Sequence, residues 1–455
     1  MTSEPYLATV GRFDPAAFEV FRFVDRAIDL DGTVRLRYAL DDTLEFEERF
    51  SLPIPSGARA DAAVVDRLLS LLHWVAGVSY FKSAAPARVA CEARVPPPAT
   101  AALLEALYSE GLGEFAVVNG LVQLPRPAFP ASAPLSNRED RAPLRRVLVP
   151  VGGGKDSAVA VEIVRRSRLD TSLFSIGNAP PIDGTVKAAA LPRLLATRTI
   201  DPRLMELNAA GALNGHVPIT AIVSAVALLT AALNGFDAVA LANERSASAG
   251  NTIWAGVEVN HQFSKSFRVE RLMAAAVAEI PGAPRIFSVL RPASELSIAR
   301  AFAGMPRYHR VFTSCNRIFK LDPALRLSSW CCNCDKCRFV FLILAPFMDP
   351  ETLRSIFGAA MLDDETQYDG FALLTAIGGH KPFECVGEVD ESVAAIRLLA
   401  RDPRWREQRV VRRLAEQVLP QFGADAGDPA ALFRLSSEHS VPPVLIDHVD
   451  ALLRA

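Results

Sequence analysis

VLVPVGGGKDSAVAVEIV, Val147 to Val164, is the stretch from which the fold is read. Val147 to Val151 is a short apolar run suited to a buried strand; three glycines follow, and Lys155, Asp156 and Ser157 open a helix through Ile163 and Val164. Consecutive glycines let a backbone turn with its amides converging, and a helix amino terminus adds partial positive charge. Gly152, Gly153 and Gly154, with the Ser157 hydroxyl, therefore predict a phosphate cradle. An aspartate beside phosphate repels it unless magnesium stands between them, so Asp156 implies a magnesium–nucleotide complex. The Walker pattern G-x-x-x-x-G-K-[ST] is not met, because Lys155 is followed by aspartate, and G-x-G-x-x-G is not met either.

Outward from this loop, strand-like and helical segments alternate. Leu173 to Ile176 reads as a second strand, a long helical region ends near Leu233, and Asp237 to Leu241 is another buried strand. Residues 268–280 are helical and Arg285 to Leu290 strand-like, which together predict a parallel α/β sheet with ligand loops at the carboxyl ends of its strands. Before the loop, residues 18–53 alternate apolar and polar across turns at Asp31-Gly32 and Asp41-Asp42, the pattern of an antiparallel meander. Helices are expected at about 61–76 and 99–110, and the Pro-, Ala- and Ser-rich segment 125–143 is a domain boundary. The expected organisation is an α+β domain over 1–140, a nucleotide-binding core over 141–345 and a helical region over 346–455.

The 455 residues are 50% hydrophobic and 22% charged, which excludes a mostly disordered chain. A formal net charge of −2 is a poor match for a nucleic-acid partner. The amino terminus carries no signal-peptide pattern, and the most apolar long stretch, Ile219 to Leu233, is short for a membrane span, so a cytoplasmic protein without membrane insertion is expected. Only seven of the 49 basic residues are lysine, which makes Lys155 conspicuous. Five of the seven cysteines, Cys315, Cys331, Cys332, Cys334 and Cys337, fall within 23 residues. Three ligands from C-x2-C-x2-C (Cys331, Cys334, Cys337), with Cys315 as the fourth, suit a structural zinc ion. An iron–sulfur cluster, catalytic thiols and ordinary reduced cysteines are the other readings.

The polar segment NERSASAGNTIWAGVEVNHQFSKSF, 243–267, follows a strand end, where an open α/β sheet places substrate groups. Asn243, Arg245, Ser246, Asn251, Asn260, Ser266 and Arg268 are the substrate-binding candidates, and Glu244, His261 and Lys265 the candidates for proton transfer. His216 and the run Gly378-Gly379-His380-Lys381 are secondary candidates, for helix capping and for anion contacts.

GGGKDS resembles the SGGxDS loop of the ATP pyrophosphatases, with Gly152 at the serine position and Lys155 at the variable one. Cys315 with CCNCDKC resembles the four-cysteine zinc site of 7-cyano-7-deazaguanine synthases, with Cys332 at a glycine position. GGGKDS, NERSASAGN, HQFSKSF, CCNCDKC and a meander beginning FRFV together resemble the epimerases of UDP-linked N-acetylmuramoyl-L-alanyl-L-glutamate, over nearly the whole chain. The resemblance implies a core like that of the adenine-nucleotide alpha-hydrolases, with ATP and magnesium bound through Gly152 to Ser157 and a UDP-linked muramoyl dipeptide as substrate. It implies formation of an acyl-adenylate, release of AMP and pyrophosphate, and a cytoplasmic step of peptidoglycan synthesis. An adenylating ligase or amidotransferase-like enzyme would share the loop and let an external amine capture the adenylate. A tRNA-thiolating enzyme would need a basic surface, which the charge does not provide.

Overall fold

The computed structural model describes residues 12–55, 60–133, 143–320, 323–377 and 379–454. Two compact units result: Met1–Leu148 with Leu194–Val239 and Ile253–Phe287, and Val149–Arg193 with Ala240–Thr252 and Ser288–Ala455. About half of the boundary segment 125–143, residues 134–142, lies outside the described residues, as does Gly378.

The first unit opens with the expected meander of β1 (Val20–Ile28), β2 (Thr33–Leu40) and β3 (Leu44–Ser51). Phe21 faces Leu40 and Phe23 faces Tyr38 across β1 and β2, with a bulge between Phe23 and Asp25; β2 and β3 pair without a shift from Thr33–Ser51 to Leu40–Leu44. The first turn requires its glycine: Gly32 has φ +87°, and a Cβ there would lie 2.1 Å from the Leu52 carbonyl oxygen. A short β4 (Arg88–Cys91) runs parallel to β1. The alternation sends Phe21, Phe23, Val34, Leu36, Tyr38, Phe46 and Phe50 into the core. The helix Ala62–Ala76 starts where the Asp61 carboxylate accepts the amide of Ala63 at 2.8 Å, and it packs on the helix Ile219–Leu233. The helix Pro98–Tyr108 has no side-chain cap of its own; the Glu279 carboxylate accepts the Ala99 and Thr100 amides at 3.0 and 3.1 Å.

Beyond residue 143 strands and helices alternate. β5 (Arg146–Pro150) leads to the helix Lys155–Arg166, β6 (Asp170–Ile176) to Pro180–Ala189, and β7 (Arg193–Thr199) to Arg203–Ala209 and Ile219–Leu233. β8 (Ala238–Leu241) follows, then the small ladder of β9 (Thr252–Trp254) and β10 (Val257–Val259), the helix Phe267–Ala278 and β11 (Arg285–Ser288). β5 pairs parallel with β8, Val147 facing Ala238 and Leu148 facing Val239, and the Arg285 amide donates to the Asp237 carbonyl at 2.8 Å. In the second unit the Val151 amide donates to the Phe174 carbonyl at 2.8 Å. This is the α/β fold with a largely parallel core sheet that the alternation predicts. The region after residue 350 is helical, including Pro350–Phe357, Val389–Arg401, Arg409–Gln417 and Pro443–Leu453.

One element departs from expectation. The region up to Leu233 reads as helical, yet β7 lies within it and pairs antiparallel with β3, Phe50 facing Arg198. Its sequence RLLATRT buries only Ala196, so it presents neither an apolar run nor a clean alternation. Among the described residues, only the helical run Ala62–Phe81 is long and apolar enough to cross a membrane, and 72% of it is buried inside the protein.

His73 sits in this core against Phe23 and Tyr38, ring centroids 5.5 and 4.9 Å away, with Nε2 2.9 Å from the Arg37 carbonyl oxygen. Burial pushes its pKa down to about 4, so the folded state keeps it neutral with the proton on Nε2. An unfolded histidine titrates near ~6.5. Between that value and about 4 the unfolded chain takes up a proton that the folded one refuses, so stability falls as pH falls through this window and is unaffected above it. At pH ~5 this costs about 2 kcal/mol relative to pH ~7. His73→Gln is expected to reduce the loss between those pH values by about that amount in urea unfolding. An equal loss in both proteins would remove His73 from the account.

Candidate active site

In the second unit the glycine loop follows β5 as read. Gly153 has φ +83°, and a Cβ there would lie 2.6 Å from the Pro181 carbonyl carbon, so no other residue fits. Its carbonyl accepts the Thr313 amide at 3.0 Å, and the Gly152 amide donates to Ser157 Oγ at 3.0 Å. Gly154 precedes the helix Lys155–Arg166 in extended geometry and, lacking a side chain, makes no side-chain cap.

Lys155 is 1% exposed, and its ammonium is bonded to the carboxylates of Asp156 and Glu295. Burial alone would lower its pKa; the charges of Asp156 and Glu295 outweigh that and hold it above the ordinary lysine value. Glu295 is the first residue of the helix Glu295–Ala303, entered through Ser294, whose Oγ accepts the Ser297 amide at 3.0 Å. The Glu295 amide donates to Glu391 Oε1 at 2.6 Å. Glu391 also accepts from Ser246 Oγ at 2.7 Å and, through Oε2, from the Glu388 amide at 2.7 Å, within the capping box of the helix Val389–Arg401. Burial pushes Glu295 up to about 7 against the pull of Lys155, and burial plus the charge of Glu295 pushes Glu391 up to about 7. Asp156, Glu244 and Glu295 each offer one oxygen, and these atoms lie within 4.8 Å of one another.

The other candidates of this unit are engaged by its backbone. The Asn243 carbonyl accepts from Ser288 Oγ at 2.6 Å, and the Glu244 carbonyl accepts from the Arg291 guanidinium. Arg245 donates to the Arg434 carbonyl at 3.2 Å, and Asn251 Nδ2 to the Pro382 carbonyl at 2.6 Å. Lys381 is buried; its amide donates to the Asn251 carbonyl at 3.2 Å and its ammonium to the Gly387 carbonyl at 3.1 Å.

Asn260, His261, Lys265, Ser266 and Arg268 belong to the first unit, so the polar segment divides after Thr252. His261 Nδ1 bonds the Glu114 carboxylate, and its ring lies 4.4 Å from that of His216. Burial, then the neighbouring His261, pushes His216 down to about 4, so it stays neutral. Asn260 Oδ1 accepts the Gln262 amide at 2.7 Å, Lys265 donates to Gln262 Oε1 at 3.2 Å, Ser266 caps Phe267–Ala278, and Arg268 pairs with Glu110.

The cysteines lie in the second unit. Sγ atoms of Cys315, Cys331, Cys334 and Cys337 are all within 4.8 Å of one another, and Cys332 has φ +52°, the conformation for which glycine is favoured. Hydrogen bonds from Cys334 and Cys337 push the Cys315 thiol far down and their own thiols up.

Sequence reasoning missed Glu114, Glu295 and Glu391. A signal existed for the last, since Glu388-x-x-Glu391 before SVAAI is a capping pattern. It marks a helix start without revealing a charged partner.

The class follows from comparison with known families: residues 12–289 match the MurL N-terminal domain and 311–428 the MurL C-terminal domain. Curated relatives named UDP-N-acetyl-alpha-D-muramoyl-L-alanyl-L-glutamate epimerase extend the likeness. That of Micromonospora sp. is 47% identical over 93% of this chain and 96% of its own. Those of Xanthomonas oryzae pv. oryzae and Salinispora tropica are 42% and 43% identical, over 96% and 95% of this chain and 98% and 96% of theirs. The chain belongs to this MurL epimerase family. No solved structure shows a significant match.

Lys155→Met leaves Asp156 and Glu295 without their buried counter-charge. Breaking such a cluster is expected to cost about 3–5 kcal/mol in urea unfolding at neutral pH. An unchanged midpoint and slope would show that the ammonium does not hold these segments.

Proposed function

We propose that this isomerase inverts the terminal L-glutamate of UDP-N-acetylmuramoyl-L-alanyl-L-glutamate to D-glutamate, using ATP and releasing AMP and pyrophosphate. The reading rests above all on 47% identity over 93% of the chain to a relative named for that epimerisation. We place the step in the cytoplasm, where ATP and UDP-linked precursors are found.

The chemistry explains why ATP is needed. Removing an α-proton beside a carboxylate puts a second negative charge on an anion. Converting that carboxylate to an acyl-adenylate neutralises it and makes the α-carbon far more acidic. Gly152, Gly153, Gly154 and Ser157 are assigned to the phosphates, in a core of the adenine-nucleotide alpha-hydrolase kind. Magnesium takes oxygen ligands, commonly one or two carboxylates plus phosphate oxygens. Asp156 and Glu244 fit that donor set, each offering an oxygen within 4.8 Å of the other. When bound, the ion would offset phosphate charge. Lys155 orients Asp156 and is not assigned a phosphate. Arg245 and Arg268 are assigned to carboxylate or diphosphate groups, and Asn243, Ser246, Asn251, Asn260 and Ser266 to polar contacts with substrate. His261, Lys265 and Glu244 compete for proton transfer. His261 is favoured by its bond to Glu114, which orients the ring as a carboxylate orients a general base.

Incubating the full chain with the muramoyl dipeptide, ATP and magnesium, then analysing glutamate chirality and AMP, tests the assignment. D-glutamyl product with AMP is expected, and ATP consumption without inversion, or an amine-dependent adduct, would contradict it. Asp156→Asn should slow AMP formation by about 10²-fold or more. Among Glu244→Gln, His261→Gln and Lys265→Met, loss of the proton-transfer group should preserve AMP formation while abolishing inversion; loss of all AMP formation in all three would refute these roles.

A further inference from the structure

The cysteine cluster is not used by the reaction above, and its geometry has its own meaning. Cys331 and Cys337 Sγ lie 3.7 Å apart, and Cys334 and Cys337 Sγ 3.5 Å apart. Four thiolates at about 2.3 Å from a tetrahedral ion are separated by about 3.8 Å along each edge. Disulfide sulfurs would sit at ~2.05 Å, and all four cysteines are free thiols. Two features of the backbone support a charged sulfur cluster. The Asn333 amide donates to Cys331 Sγ at 3.4 Å. At Cys332 the left-handed turn sends its own thiol away to donate to the Phe357 carbonyl at 3.2 Å.

We propose that Cys315, Cys331, Cys334 and Cys337 hold one zinc ion and that this ion fixes the segment against which the glycine loop is built. Four thiolates are soft ligands that complete a tetrahedron, leave no open position for a substrate, and release their protons to solvent when the metal binds. The link to the loop is direct in sequence and space. Cys315 follows Thr313, whose amide bonds the Gly153 carbonyl at 3.0 Å, and Ser314, whose Oγ lies 2.8 Å from where a Cβ on Gly154 would be. The ion ties Cys315 to Cys331, Cys334 and the first turn of the helix Asp335–Leu344, so residues 313 and 314 have one fixed end. Neither zinc binding by these cysteines nor its hold on residues 313 and 314 requires ATP.

Metal analysis of the full chain, purified under reducing conditions without chelator, should give about one zinc per chain. Cobalt replacing it should show the intense thiolate-to-cobalt absorption of a tetrahedral site. Cys334→Ser should lose the metal and Cys332→Ser should keep it; if Cys334→Ser does not fold, the wild-type content and Cys332→Ser decide. After chelation, backbone amides of residues 152–157 should exchange with deuterated water at least about tenfold faster. Less than about a fifth of an equivalent of zinc, iron with acid-labile sulfide in its place, or equal metal loss in Cys332→Ser would overturn the site. Unchanged exchange at 152–157 in metal-free protein would overturn its coupling to the loop.

Discussion

An ammonium group with almost no solvent contact persists only where carboxylates surround it, because desolvation of an unpaired charge costs several kcal/mol. Lys155 is such a group, and the cluster around it draws on distant parts of the chain. Asp156 lies beside it, Glu295 opens another helix, and Glu391, which accepts the Glu295 amide, belongs to the capping box of a third. Ser246, from the loop after β8, bonds the same Glu391 oxygen. The start of the glycine-loop helix, two further helix starts and a polar loop are thus held by one buried charge cluster. Burial, with the charge of neighbouring carboxylates added to it, pushes Glu295 and Glu391 up to about 7.

In the function proposed above, this arrangement receives a polyphosphate. The glycine loop supplies amides, and the carboxylates on one side limit where negative charge can sit without a cation. The first unit holds a different kind of cluster, a neutral His216 tilted against His261, whose Nδ1 bonds Glu114.

What was legible in the sequence is local. Strand, three glycines and a helix start lie within a dozen residues, and the short cysteine spacings announce three ligands from one loop. Partners far apart in the chain were not legible: Lys155 pairs across 140 residues with Glu295, and His261 across 147 with Glu114. No periodicity records such pairings. Lys155 itself looked like the variable position of a motif, and only burial shows its weight. The polar run 243–267 reads as one loop, but its two parts belong to different compact units. β7 was missed because its exposed Leu195, Thr197 and Thr199 and its half-buried arginines blur the period of a strand.

The central claim is that ATP cleavage acidifies the glutamate α-carbon. The most direct measurement follows the muramoyl dipeptide and ATP in deuterated water, counting deuterium at the glutamate α-carbon of the product against AMP released. The account predicts D-glutamyl product carrying solvent deuterium, mole for mole with AMP, and none without ATP. AMP released with no deuterium at that carbon, or deuterium incorporated without ATP, would contradict it.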